Sequence, residues 1–552
     1  FGGRGRKVSG GCSEAMAEIN PLVSGNGSEE EAGTPPPAGT PTPHRVRTLG
    51  RLSLIGIMYF SVAGGPEGTE TLVKTGGPIA TFLGISLLGV VFAIPLALMT
   101  AELSTMYPEN GGFVLWAKAA FGDGAGRMAG WLQFCSSAVD TALYPGLFLT
   151  YVSQTMHTEF SWGVQLLIKG TFVVAITALN LAGIDYVGHG STAMMFFLLA
   201  PFCLISLICL TGMFTGETIL GWPYNPSNLV ETIPDPDWGQ FVLVLIWNMG
   251  MWETASVCSG EVQDVAKEFP PALGITVVLV VLNYVLPIAS FVGLQGDSTL
   301  YNNGFYITIM DTVGGPFWGR WLGVSQCVSA MGLFTNGIVK NAWMLCGMGE
   351  QGMLPIYFAS RMSSTGSPLI AISLTQAVTI AMVLYGDFKA VLAVDMLLYS
   401  CSLLLEISST IYLRHSQPDL ARPYRIPFEG GWLFLFFAPS FAIVFFAFAM
   451  AQFNDLVTAT GFIVAGMVLL EVLSWTKRQY PQWFVGVEEV QHIEHNDIFE
   501  EDPEEDDKAE VLEPYPTYHY QMEGTSLSSY QYHWAVDNDT RTLLPTERRG
   551  GV

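Results

Sequence analysis

Gly64-Gly65-Pro66-Glu67-Gly68-Thr69-Glu70 interrupts the first long apolar run of the chain, which begins near Leu52. Nothing in this stretch favours a continuous helix. Glycine adds backbone freedom that folding must remove, and proline lacks an amide donor. A carboxylate at bilayer depth costs about 2.5–3.5 kcal/mol on insertion scales. A break of this kind survives within a membrane where it faces protein or a water-filled cavity. The competing reading is a kink at Pro66, with the chain leaving the membrane near Glu67 and Glu70.

The surrounding composition supports membrane depth. Half of the 552 residues are hydrophobic and 13% are charged, against about 25% charged in soluble domains. The apolar runs are long and unbroken by turns, so the expected fold is an all-α integral membrane protein and not a barrel. About twelve helices of ~20 residues are expected. They fall at 52–74, 78–100, 131–155, 164–182, 191–213, 238–260, 272–294, 317–346, 367–386, 390–413, 431–451 and 457–475. Residues 1–44 are rich in Gly, Ser, Glu and Pro and read as a disordered tail, with Met16 a candidate natural start and 1–15 an upstream stretch. Residues 479–552 form a second, acidic tail. It carries much of the net charge of −24, which argues against nucleic acid as a partner. The eight cysteines lack metal or disulfide spacing and read as packing residues.

Basic residues set an orientation. Arg45, Arg47, Arg51, Lys118, Arg127, Lys267, Arg361, Arg414, Arg422, Arg425, Lys477 and Arg478 fall on alternate loops, which places both termini in the cytoplasm. Lys74, Arg320 and Lys389 are exceptions. The segments 101–130 and 348–366 are too polar to span and read as short amphipathic stretches at the inner surface. A second interruption, Gly250-Met251-Trp252-Glu253, lies five spans after the first. Matching breaks in two halves are a sequence pointer to the binding site of a secondary transporter.

Four groups are candidates for that site. Gly64, Gly65 and Glu70 belong to the first break. Asp140 and Tyr144 share a face of span three at i,i+4, where the alternative is a structural hydrogen-bonded pair. Trp247, Asn248, Trp252 and Glu253 weaken span six, and the Trp rings offer faces to a cation or simply pack. Tyr399 and Glu406 lie seven residues apart on one face of span ten, with Asp395 a less secure companion; Glu406 alternatively pairs at the cytoplasmic end of the bundle. Asp140, Glu253 and Glu406 dispersed in lipid would cost on the order of 8–10 kcal/mol together. Span lysines look too few to neutralise them, so a cationic substrate plus a proton is the expected balance. Crowded carboxylates hold a proton near neutral pH, which makes Glu253, Asp140 and Glu406 the candidates for proton coupling.

Further stretches carry a family likeness. Ala101-Glu102-Leu103, Pro108-Glu109-Asn110-Gly111-Gly112-Phe113 and Phe121-Gly122 resemble the signature after span two of the amino acid–polyamine–organocation superfamily. GGPEGTE (64–70), VDTALYPGLFL (139–149), WNMGMWE (247–253), GEV (260–262), GMGEQGMLP (347–355), LYSCSLLLE (398–406) and ARPYRIP (421–427) resemble plant and protozoan polyamine uptake transporters. The resemblance implies a five-plus-five inverted repeat, with repeats at about 52–213 and 238–413 and two extra helices at 431–475 within a transporter domain of 45–478. It implies uptake of putrescine or spermidine by proton- or cation-coupled symport. It places Tyr144, Asn248 and Tyr399 where polyamines are recognised, Trp247 at an aromatic gate, and Glu70, Asp140, Glu253 and Glu406 at acidic positions. One departure is Gly250-Met251-Trp252-Glu253, where plant relatives have Asn-Tyr-Trp-Asp, and it bears on the preferred amine length.

An amino acid transporter of the same fold is the nearest rival, since the glycine-rich break offers backbone N–H groups to a substrate carboxylate. A non-transporting receptor for polyamines or other nutrients is a rival of another class. No enzyme is expected, because the spans show no nucleophile–base pair or metal spacing, and no cofactor is implied. The plasma membrane is the expected location. Asp539-Thr540-Arg541-Thr542-Leu543-Leu544 fits an acidic dileucine signal for a sorting adaptor, which leaves an endosomal or storage-organelle membrane open.

Overall fold

Helix α1 (Arg51–Val62) ends where left-handed backbone begins, with Gly64 at φ 65° and Gly65 at φ 105°. The chain resumes as α2 (Thr69–Gly76) after Gly68 at φ 78°. The computed structural model describes residues 47–66, 68–383, 388–484, 486, 534–536 and 543–545. Glu67, the tail 1–44, the acidic run near 500 and Asp539–Thr542 lie outside the described residues. Leu543 and Leu544 belong to a short strand paired antiparallel with Trp534–Val536; the rest of the described architecture is helical.

Gly77 and Pro78 turn the chain into α3 (Pro78–Met106), which contains a wider turn at Gly89–Ala93. Then follow α4 (Phe113–Phe121), α5 (Asp123–Thr155), α6 (Trp162–Leu181), α7 (Ile184–Thr215) and α8 (Trp238–Met249). The Asp237 carboxylate caps α8 by accepting from the Gln240 amide, a common way to satisfy a free helix-start donor. After α8 the backbone is irregular. Met251 sits at φ 64°, and Trp252–Val257 and Ser259–Glu261 make tight 3-10 turns. Next come α9 (Val265–Leu294), α10 (Phe305–Val313), α11 (Pro316–Glu350), α12 (Leu369–Val383), α13 (Phe388–Ser416), α14 (Gly431–Met450) and α15 (Phe453–Gln479).

Among the described residues, eight helices are long and apolar enough to cross a bilayer: α3, α6, α7, α9, α11, α13, α14 and α15. The other expected spans fall on the short α1 and α12, the long but more polar α5, and the interrupted α8. The burial pattern separates centre from periphery. In α11, 78% of the apolar window is buried, against 11% in α15. Leu83, Leu87 and Val90 of α3, Phe196 and Leu207 of α7, and Val464, Met467 and Val468 of α15 are exposed. Apolar surface on that scale suits lipid and not water.

One expectation needs correction. Segment 101–130 does not lie as a surface stretch with one face out. Helix α3 runs on to Met106, and Phe113–Ala117 of α4 are all buried, packed on α5, α13 and the Trp252–Val257 turns. Likewise α11 continues through Glu350 into the start of the 348–366 stretch. At the centre, α5 packs along α11, α12 and α13, while α1 packs on α7, α9 and α11. The two interrupted segments meet, with α2 against α8.

Candidate functional site

Close approach is what the glycines of the first break permit. A Cβ on Gly64 would lie 2.4 Å from Leu333 of α11, and one on Gly68 would lie 2.5 Å from the Trp247 ring. With φ positive at both, a side chain would be strained as well as crowded. The freed Gly64 carbonyl accepts from the Ser329 hydroxyl of α11. Thr69 recovers the Pro66 carbonyl at 2.5 Å and shares a hydrogen bond with Tyr306.

Trp247 joins this break to the acidic residues. Its ring rests on Gly68, and its indole N–H donates to Asp140 Oδ1 at 3.0 Å. Tyr144, one turn along α5, donates to the same oxygen at 2.6 Å. Lys340 of α11 donates to Asp140 Oδ2 at 2.7 Å. Both members of that ion pair are buried, at 6% and 1% side-chain exposure. The expectation that span lysines are too few is therefore corrected at Asp140: Lys340 balances its charge. Lys340 Nζ also lies 3.7 Å from Met251 Sδ in the second break.

The second break is held from α13. The Met251 amide donates to the Tyr399 hydroxyl at 2.6 Å, and that hydroxyl donates to Glu253 Oε2 at 3.3 Å. Glu253 Oε1 has no hydrogen-bond partner. Ser402 donates to Glu406 Oε1 at 2.8 Å, leaving Glu406 Oε2 without one. Glu406 lies within electrostatic range of Glu253. Asp395 accepts from Ser136 at 2.5 Å and has one oxygen unpartnered; it lies within electrostatic range of Asp140 and Lys340. Of these four buried carboxyls, Asp140, Glu253 and Asp395 lie within reach of the one lysine, and Glu406 adjoins Glu253.

Other anticipated residues sit differently. Asn248 donates to the Val244 carbonyl of its own helix, with its amide beside Gly68. Trp252 is buried with its N–H on the Met249 carbonyl, bracing the break. Glu70 stands apart from the Asp140 node; it accepts from the Gly304 amide at 3.1 Å, at the start of α10. Gly64 meets α11 at Ser329 and Leu333, and Gly65 meets Leu198 of α7; Ser329 and Lys340 are eleven residues apart, roughly 16 Å along a helix.

Two ion-pair clusters were not anticipated. Glu102 accepts from Arg414 at 2.5 and 2.6 Å and from the Ile426 amide at 2.8 Å, with Arg422 Nε 3.2 Å away. Glu261 accepts from Asn110 at 3.0 Å and Arg361 at 3.0 Å, and Arg361 also pairs with Glu350 and lies over the Trp343 ring. The sequence signals were present: Arg414 and Arg422 in the basic stretch around the end of α13, and Lys340 as a cation deep in an apolar run.

Comparison with known proteins agrees with this architecture. A family described as amino acid permease matches residues 49–472. The chain is 32% identical over 434 residues to polyamine transporter PUT1 of Oryza sativa subsp. japonica, covering 78% of this chain and 80% of the relative. It is 29% identical over 448 residues to polyamine transporter RMV1 of Arabidopsis thaliana, covering 81% and 89%. It is 24% identical over 421 residues to the cystine/glutamate transporter of Homo sapiens, covering 74% and 81%.

Proposed function

The chain belongs to the amino acid permease family and is a multi-pass membrane protein, and on that premise we propose that it is a secondary active transporter of polyamines. The observation that carries this reading is the surplus of buried acid where the two broken helices meet. Lys340 serves Asp140, while Glu253 and Glu406 each keep an oxygen without a partner. Buried carboxylates of this kind need a cation or a proton, and a diamine or triamine brings several ammonium groups on an apolar stem. Relatives named as polyamine transporters support the same cargo.

In this proposal twelve spans form two inverted repeats of five with two added helices, and both termini are cytoplasmic. The broken α1–α2 and α8 segments rock against α5, α11 and α13 to expose the site alternately. Putrescine or spermidine places its ammonium groups on Asp140, Glu253 and Glu406. Tyr144, Asn248 and Tyr399 orient the stem, Trp247 closes the outer side, and a proton or another cation on one carboxyl couples the cycle. The plasma membrane is the proposed location.

Labelled putrescine in proteoliposomes, with and without an inward acid gradient, tests both substrate and coupling. Saturable uptake stimulated by the gradient is the expected result. Lys340 favours one second reading, since its ammonium is suited to a substrate carboxylate in an amino acid carrier. Inhibition by arginine or leucine but not by putrescine would select that reading instead.

A further inference from the structure

Lys340 raises a question that substrate binding alone does not answer. Its ammonium occupies the position on Asp140 that a substrate ammonium would need. The Asp140 carboxylate already takes three donors, from Tyr144, Trp247 and Lys340. The lysine is held there firmly. Helix α11 lies so close to α5 that a Cβ on Gly337 would stand 2.5 Å from Thr141 Oγ1. Gly337 and Lys340 share a face of α11, and Thr141 adjoins Asp140, so this contact aims the lysine at the acid.

A carrier that delivers net uptake must return through its closed form after releasing its cargo. A buried carboxylate cannot make that passage bare, because its desolvation has to be compensated. An internal cation can compensate it. We propose that Lys340 is a tethered ammonium that replaces the substrate's ammonium on Asp140 during the return half of the cycle, making the protein a net importer and not an obligatory exchanger. The proposal rests on the substrate reading above. Incoming amine displaces Lys340 towards Glu253 and Asp395, which lie within its electrostatic range. After release Lys340 recloses on Asp140.

The test compares two fluxes of labelled putrescine into proteoliposomes containing the full chain. One is uptake into empty vesicles; the other is counterflow into vesicles preloaded with putrescine. The unaltered protein should show both at similar rates. Lys340→Gln should lower uptake into empty vesicles about tenfold more than it lowers counterflow. Lys340→Arg should restore part of the lost uptake by returning a cation. A merely structural lysine would lower both fluxes together, and that result overturns the proposal. Should Lys340→Gln fail to fold, the unaltered protein decides: counterflow without uptake into empty vesicles overturns the proposal, and similar rates support it. If the unaltered protein exchanges arginine but not putrescine, the substrate reading fails, and Lys340 is judged by the same ratio measured with arginine. No flux of either cargo overturns both.

Discussion

Glu102 on one side and Glu253 with Glu406 on the other are all buried carboxylates, and they are furnished in opposite ways. Glu102, near the end of α3, is saturated: both oxygens are engaged by Arg414, the Ile426 amide adds a third donor, and Arg422 stands beside them. Glu253 and Glu406, at the second break and on α13, each have an oxygen with no hydrogen-bond partner. A saturated buried network fixes a structure, whereas an unsatisfied one is costly unless something else completes it. The first arrangement ties α3 to α13 and the 421–427 loop. The second keeps acceptors in reserve, and a mobile cation is what would fill them.

The contrast can be broken most forcefully at its rigid end. Glu102→Gln leaves Arg414 and Arg422 buried beside a neutral amide and should cost about 3–5 kcal/mol of stability. Thermal unfolding in detergent reads this directly. The protein that remains folded should keep its substrate KM, and an unchanged melting temperature would erase the distinction between the two groups. Glu253→Gln should do the reverse. Saturable uptake should fall about a hundredfold, or about 2.7 kcal/mol, while the melting temperature holds or rises, because an amide is cheaper to bury than a carboxylate. Full uptake by this variant would remove Glu253 from the transport path.

Smaller changes sharpen the comparison. Tyr399→Phe removes both the acceptor for the Met251 amide and the donor to Glu253. A stability loss of about 1–3 kcal/mol is expected, with KM raised about tenfold, equal to about 1.4 kcal/mol; a stability loss with unchanged KM would make Tyr399 a brace only. Ser402→Ala removes a single donor to Glu406 and should cost about 0.5–1.5 kcal/mol. Uptake should stay near the parent value. A loss as deep as that of Glu253→Gln would show that Glu406 needs this hydroxyl to receive cargo.

Local chemistry made much of this legible. The Gly64–Gly68 interruption could be anticipated because left-handed backbone favours glycine; at the second break Gly250 marked the interruption, but the left-handed residue is Met251, which residue type alone does not announce. The Asp140–Tyr144 pair could be anticipated because i,i+4 spacing brings two side chains together on any helix, and here they bond at 2.6 Å. Tyr399 and Glu406 share a face for the same reason. Partners distant in the chain were not legible. Glu70 was grouped with the acidic site; its Oε1 accepts from the Gly304 amide, a partner that only the path of the 295–305 loop places beside it, while its Oε2 has no hydrogen-bond partner. Helix α4 was expected at a surface because its sequence is mixed, but packing on α5 and α13 encloses its first five residues.

Hydrophobicity, glycine placement and carboxylates within apolar runs were enough to establish a helical membrane protein with two interruptions and acidic residues near them. Those properties depend on neighbours within a turn or two of helix, where covalent geometry dictates who meets whom. The assignment of Lys340 to Asp140, 200 residues apart, was settled by the register between α11 and α5. So was the enclosure of Glu102 by Arg414 and Arg422, which depends on how α3 meets the end of α13. A shift of one helical residue turns a side chain by about 100°, so the pairing of buried charges is decided by packing across helices and not along them.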